Sequence, residues 1–321
     1  MVSRCKGISL PEVLQVLETL APLKLAENWD NVGLLIEPSS PHIVRKLMLT
    51  NDLTQPVMEE TIKHQCNMII SYHPPIFQAL KQLRTSNVKQ NLVIQCLENR
   101  VAVFSPHTSY DVAADGVNDW LISAFGELRD VKPVTALRDP VSVNHRLLDE
   151  DEILRLKSQL SCNGTTSPLS GDISYVSRNF ASTLNSKEAI VEVGSGRRAM
   201  LSRPLTIVQA LERVKSYLGL PFVRVAIGEG KTLDSEVETV ACCAGSGSSV
   251  LHNCEVDVYL SGEMSHHDVL HATSHGRTVM LCEHSNSERG YLVHLQKKLS
   301  LLLPQVEFMV SQSDADPLVV M

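Results

Sequence analysis

Four short stretches of this chain place histidines and acids directly after apolar runs: SYHPP at 71–75, SPHTSYD at 105–111, SGEMSHHD at 261–268 and CEHSNSE at 282–288. Imidazole and carboxylate without thiolate is a donor set that suits Zn, Mn, Fe or Ni, and not a structural zinc finger. A carboxylate has two oxygens, so Asp111 or Glu288 could bridge a pair of ions. Two ions ~3.5–4 Å apart make a bridging water nucleophilic near neutral pH and stabilise the leaving oxygen.

Each residue also has a local explanation. Pro74 and Pro75 fix the backbone after His73, so SYHPP could be a strand-to-helix turn with an incidental imidazole. Asp111 could serve a turn, and His107 could bond a neighbouring carbonyl. Ser285 and Glu288 have the spacing of a capping box, and His266 and His267 could simply open a surface helix. Taken singly these explanations suffice. They do not say why acids and histidines gather at four strand ends in a chain with 12 histidines. The carboxyl ends of strands are where sites assemble in open α/β sheets. AGSGSS at 244–249 could offer amides to a phosphate, but it matches no nucleotide-binding fingerprint and reads more simply as a tight turn.

The elements that must carry these loops are legible from periodicity. Ser9 and Glu12 make a capping box ahead of an apolar face formed by Leu10, Val13, Leu14, Leu17 and Leu20. Strands are expected at VGLLIE (32–37), KLMLT (46–50), NMIIS (67–71) and VAVFS (101–105), with a helix opened by Thr54 and another through NVKQNLVIQCLEN. DGVNDWLISAF follows as a helix. From 127 to 199 the pattern weakens into a variable middle region, where DEDEILRLKSQL reads as an exposed helix and SCNGTTSPLSGD as polar turns. The second lobe opens with the helix TIVQALERVKSYLG, closed by Gly219. It continues through strands at FVRVAI, VETVACCA, VDVYL, TVMLC and VEFMVS, with helices through HHDVLHATSH and SERGYLVHLQKKLS. Alternating helices and short strands imply an α/β fold. The expected domains are an N-terminal lobe over 1–126, the middle region 127–199 and a C-terminal lobe over 200–321. The two lobes show no close sequence repeat but could share an architecture.

Composition narrows the class. The chain has 321 residues, 43% hydrophobic and 20% charged, which is ordinary globular usage. A formal charge of −7 argues against a broad nucleic-acid-binding face. No apolar run approaches the ~20 residues that span a bilayer, and helical pattern from about Ser9 leaves no room for a signal peptide. The eight cysteines have no C-x-x-C spacing and sit mostly in apolar segments, as small hydrophobes in a reduced intracellular protein do.

ENWDNVGLL, SYHPPIF, SPHTSYDVAADGVNDWL, CAGSGSSVL, LSGEMSHHDVL and LCEHSNSERGYL, in this order, resemble the NIF-three-like family, whose bacterial members are often labelled GTP cyclohydrolase one type two homologues. The resemblance covers roughly 9–126 and 194–318. It implies two α/β lobes with a dinuclear metal site in the cleft between them, and assembly into a ring-like homo-oligomer. It assigns metal binding to His73, Asp111 (bridging), His284 and Glu288, and a place lining the site to His107 and His267, as supporting or proton-transfer residues. Many bacterial members have two adjacent histidines where this chain has Tyr72-His73, and a neutral phenol, with an ordinary pKa of ~10, replaces imidazole poorly. One or two divalent ions per chain are therefore expected. Two functions follow: a metal-dependent hydrolase acting on a phosphorylated or nucleotide-like small molecule, or a non-enzymatic corepressor-type adaptor in cytoplasm and nucleus. The adaptor would work through transcription-regulator proteins without touching DNA.

Overall fold

A computed structural model describes residues 6–137 and 192–320. DEDEILRLKSQL and SCNGTTSPLSGD lie outside the described residues, as do Cys5 and Cys162. The chain divides into two units, Met1–Tyr110 with Tyr291–Ala315, and Asp111–Gly290 with Asp316–Met321.

The first unit is built on a five-stranded sheet in the order Glu307–Val310, Lys46–Thr50, Met68–Ser71, Ala102–Ser105, Gly33–Ile36. The first three pairings are parallel and the last is antiparallel. Parallel strands need crossovers, and the helices Gln55–Lys63 and Val88–Glu98 supply them, capped by Thr54 and Asn87. Ser9 and Glu12 form the expected capping box on Leu10–Leu20. Met48, Ile69 and Val103, one from each central strand, pack with Val57, Met58 and Cys96 in one buried cluster. The closing helix Tyr291–Leu302 and strand Glu307–Val310 belong to this unit. The units thus interleave along the chain, where the sequence pattern drew lobes over 1–126 and 200–321.

The second unit carries a six-stranded sheet ordered Arg224–Ala226, Thr278–Leu281, Val258–Glu263, Glu236–Ser246, Arg197–Thr206, Leu128–Lys132. Its centre is parallel and its flanks antiparallel. The helix Ile207–Leu218 starts at a Thr206–Gln209 capping box and stops at Gly219, whose φ of 67° is the left-handed geometry expected of a glycine stop. Burial pushes the thiols of Cys96 and Cys282 up to about 12, so they behave as hydrophobes. No described helix is long and apolar enough to cross a membrane.

Asp257 fastens the parallel pair of this sheet. It accepts hydrogen bonds from the amides of Glu238 and Thr239, the Thr239 hydroxyl and the Lys231 ammonium. Partial burial alone would raise its carboxyl, but these donors outweigh burial and hold it below the ordinary 3.8. Its folded pKa is depressed, so its stabilising contribution is complete above pH 3.8 and is lost as pH falls through the lower folded value. Asp257→Asn should therefore be less stable than wild type at neutral pH and approach it below pH 3.8, as acid unfolding followed by circular dichroism would read.

Candidate functional site

In the first unit, the strand Met68–Ser71 ends in the His-Pro-Pro turn. The His73 amide donates to the Asn51 carbonyl beyond the neighbouring strand, and Ser71 Oγ donates to the His73 carbonyl, so the turn is tied at both ends. The ring Nδ1 of His73 lies 3.0 Å from Asp52 Oδ1. A carboxylate on Nδ1 fixes the tautomer and leaves Nε2 as the basic nitrogen, the usual outer partner of a metal-binding histidine.

His107 follows the next strand and has the same device. Its Nδ1 is 2.7 Å from Asp30 Oδ1, and Asp30 also accepts from the amide and hydroxyl of Thr108. The Asp30 side chain is fully buried. Burial alone would raise its carboxyl, but the bonds from His107 and Thr108 hold it below the ordinary aspartate value. The His107 backbone sits at φ 36°, in the left-handed region that a non-glycine residue occupies only under constraint. Its ring meets His73 edge-on at 5.3 Å. Tyr72, 1% exposed, meets both imidazoles edge-on.

In the second unit, the loop after Thr278–Leu281 brings His284 and Glu288 together, with Nε2 3.4 Å from Oε1. His284 Nδ1 lies 2.9 Å from Glu263 Oε1, at the end of the adjacent parallel strand. The spacing of 21 residues between Glu263 and His284 equals that between Asp52 and His73, and in each case the two residues lie at or just past the ends of neighbouring parallel strands. Glu288 is 3% exposed. The α-helix begins only at Tyr291, after a single 3₁₀ turn at Ser285–Ser287, so Ser285 and Glu288 do not form the capping box their spacing suggested. Ser285 Oγ instead donates to Asp316.

Asp111 lies on the short helix Thr108–Val112. Burial first, then the charges of Asp111 and Glu288, raise the Cys243 thiol, which puts both carboxylates within electrostatic reach of one buried atom. Asn118, fully buried, joins the pieces: its Nδ2 donates to the Asp111 carbonyl and its Oδ1 accepts from the Ala244 amide. Asn118 thus ties the Asp111 backbone to the end of the strand Glu236–Ser246, where His284 and Glu288 lie beside Gly245. His267 is not with them, since it sits exposed in the first turn of His266–Ser274 with its ring against His266. The AGSGSS turn does not offer a phosphate cradle. The amides of Ala244, Gly245 and Gly247 donate to Asn118, Ser287 and Ser261.

Gly245 supplies the test of whether a metal fits the second unit's donors. A Cβ there would lie 2.8 Å from Glu288 Oε1 and 3.1 Å from His284 Nε2, so both donor atoms face a space kept open by the missing side chain. With φ at 62° the position also favours glycine. The residues fit a cation. Gly245→Ala should weaken divalent-metal binding by at least about tenfold, measured by competition with a fluorescent chelator. Unchanged affinity would mean that the gap is conformational only.

Sequence reading missed Asp30, Asp52, Glu263 and Asn118. Asp30 and Asn118 fall inside motifs quoted for the resemblance, and Asp52 and Glu263 follow apolar strands, which was the available signal.

The family model for Duf34/NIF3 (NGG1p interacting factor 3) matches residues 8–317. NIF3-like protein 1 of Rattus norvegicus is 41% identical over 97% of this chain and 92% of its own length. NGG1-interacting factor 3 of Saccharomyces cerevisiae is 32% identical over 97% and 96%. Among solved structures, a Bacillus cereus protein related to NIF3 superposes with TM-score 0.75 at 24% identity, covering 98% of this chain and all of that one, a likeness of fold.

Proposed function

We propose, for a chain that belongs to the Duf34/NIF3 family, that it is a divalent-metal protein that hydrolyses a small phosphorylated or nucleotide-like molecule. The residues proposed as ligands are His73, Asp111, His284 and Glu288, for one or two ions of Zn, Mn, Fe or Ni. The observation that carries this reading is the carboxylate on Nδ1 of both His73 and His284. Surface histidines have no need of that arrangement, and metal-binding ones almost always have it. His73, His284 and Glu288 each carry a nitrogen or oxygen donor of the kind that holds a divalent ion.

A bound divalent cation would supply Lewis acidity and a water acidic enough to ionise near neutral pH. Asp52 and Glu263 orient the two imidazoles and fix their tautomers. Asp30 holds the His107 ring by Nδ1, so Nε2 is the atom that takes or gives a proton. His267 is the alternative proton carrier, reached only if its exposed ring turns from His266.

A second reading rests on a name: the yeast relative is called NGG1-interacting factor 3. By this reading the chain is an adaptor for transcription regulators, in cytoplasm and nucleus, working through protein contacts and as a homo-oligomer. The two readings separate on His73→Ala and Glu288→Ala. Hydrolysis across a panel of phosphate esters and nucleotides should be lost in both, whereas partner capture that survives both changes would favour the adaptor. Tyr72→His should raise metal content if the phenol is what limits the number of ions.

A further inference from the structure

We propose that Trp29 and Phe77 form an aromatic platform that binds the planar ring of a phosphorylated heteroaromatic ligand, a mononucleotide in class, beside His107. This rests on the reading above that the first unit's imidazole and carboxylate cluster serves a small molecule.

Trp29 is 61% exposed and Phe77 47%, and their rings lie 6.1 Å apart at 57°. Large aromatics exposed side by side mark a binding surface more often than idle surface. They are also held in place. Asp30 is locked to His107 and Thr108, and Asn31 Nδ2 donates to the Ile76 carbonyl, so the residues following Trp29 and preceding Phe77 are both fastened. The Trp29 ring itself stands edge-on to His107 at 6.0 Å. An aromatic pair fixed against a polar imidazole suits a ring with polar edges better than it suits an apolar side chain.

Charge narrows the occupant. Residues 77–89, FQALKQLRTSNVK, are all exposed and contain Lys81, Arg84 and Lys89 with no acid. In a chain of net charge −7 that is a local basic segment. It begins at Phe77, and Lys81 and Arg84, which follow within seven residues, are the cations the proposal assigns to the ligand's phosphate.

The test is intrinsic fluorescence of the full chain during titration with GMP, UMP, guanosine and ribose 5-phosphate. The chain has two tryptophans, and Trp120 is buried, so quenching reports chiefly on Trp29. GMP should quench, ribose 5-phosphate should not, and guanosine should bind more weakly than GMP. Phe77→Ala should weaken GMP by roughly 5- to 150-fold, the range for loss of one stacking partner. Arg84→Ala should weaken GMP and leave guanosine unchanged. The proposal is overturned if no nucleotide quenches the wild type, if Phe77→Ala binds GMP as wild type does, or if that variant changes only the assembly state. Metal content, counted separately on the same samples, reports on the metal reading without touching the platform.

Discussion

Arg197→Met lowers the stability of the second unit by about 3–5 kcal/mol, the usual result of removing one partner from a buried ion pair. At this size that is a fall in Tm of roughly 6–20 °C. Arg197 is 2% exposed on the strand Arg197–Thr206. Its guanidinium donates through Nε and Nη2 to the two oxygens of Asp119, and through Nη1 and Nη2 to the carbonyls of Gly194, Gly196 and Ala113. Burial alone would lower its pKa, but the Asp119 carboxylate reverses that and raises it. Methionine matches the volume and satisfies none of these acceptors. Arg197→Lys keeps the charge but lacks the planar fork, so it recovers only part of the loss. Arg198, the exposed neighbour on the same strand, sets the control at within about 0.5 kcal/mol on change to Ala. Thermal unfolding of the three variants decides the matter, and an Arg197→Met protein as stable as the control would refute the network.

Glu288→Gln weakens divalent-metal binding by more than about 100-fold, beyond the 10–100-fold that loss of an outer partner costs. Glutamine keeps the shape of the side chain and removes the charge, so the packing around Gly245 is preserved. Glu263→Gln, which removes only the carboxylate on His284 Nδ1, falls within the 10–100-fold range. The readout separates ligand from scaffold. Metal at 1,000 times its Kd stabilises a protein by about 4.1 kcal/mol, and that gain in Tm should vanish in Glu288→Gln while the metal-free Tm stays close to wild type. A metal-free Tm that collapses with Glu288→Gln would make Glu288 a structural residue.

The local chemistry of these elements was readable in the sequence. KLMLT is the strand Lys46–Thr50 to the residue, the caps at Ser9, Thr54 and Thr206 lie where serine and threonine precede an apolar face, and Gly219 closes its helix. Each of these depends on neighbours within a turn or a pleat. Pairing between distant strands does not. Nothing in VEFMVS announces that it lies parallel to a strand some 260 residues earlier, so sequence pattern alone leaves the closing segment with the second lobe. The same limit applies to the site. Histidines at strand ends were visible, but their partners Asp52, Glu263 and Asp30 come from other strands or loops and acquire meaning only through the fold. Glu288 shows the reverse case: S-x-x-E explains the residue as a cap only if a helix starts there, and the helix starts at Tyr291.

The central claim is that His73, Asp111, His284 and Glu288 bind metal, and the direct measurement is metal per chain by plasma mass spectrometry. It is made on purified wild type and His73→Ala after dialysis against a weak chelator, with circular dichroism to confirm folding. At least one divalent ion per wild-type chain, reduced or lost in folded His73→Ala, is the predicted result. Wild-type protein that retains no ion, and takes none up at micromolar concentration, would contradict it.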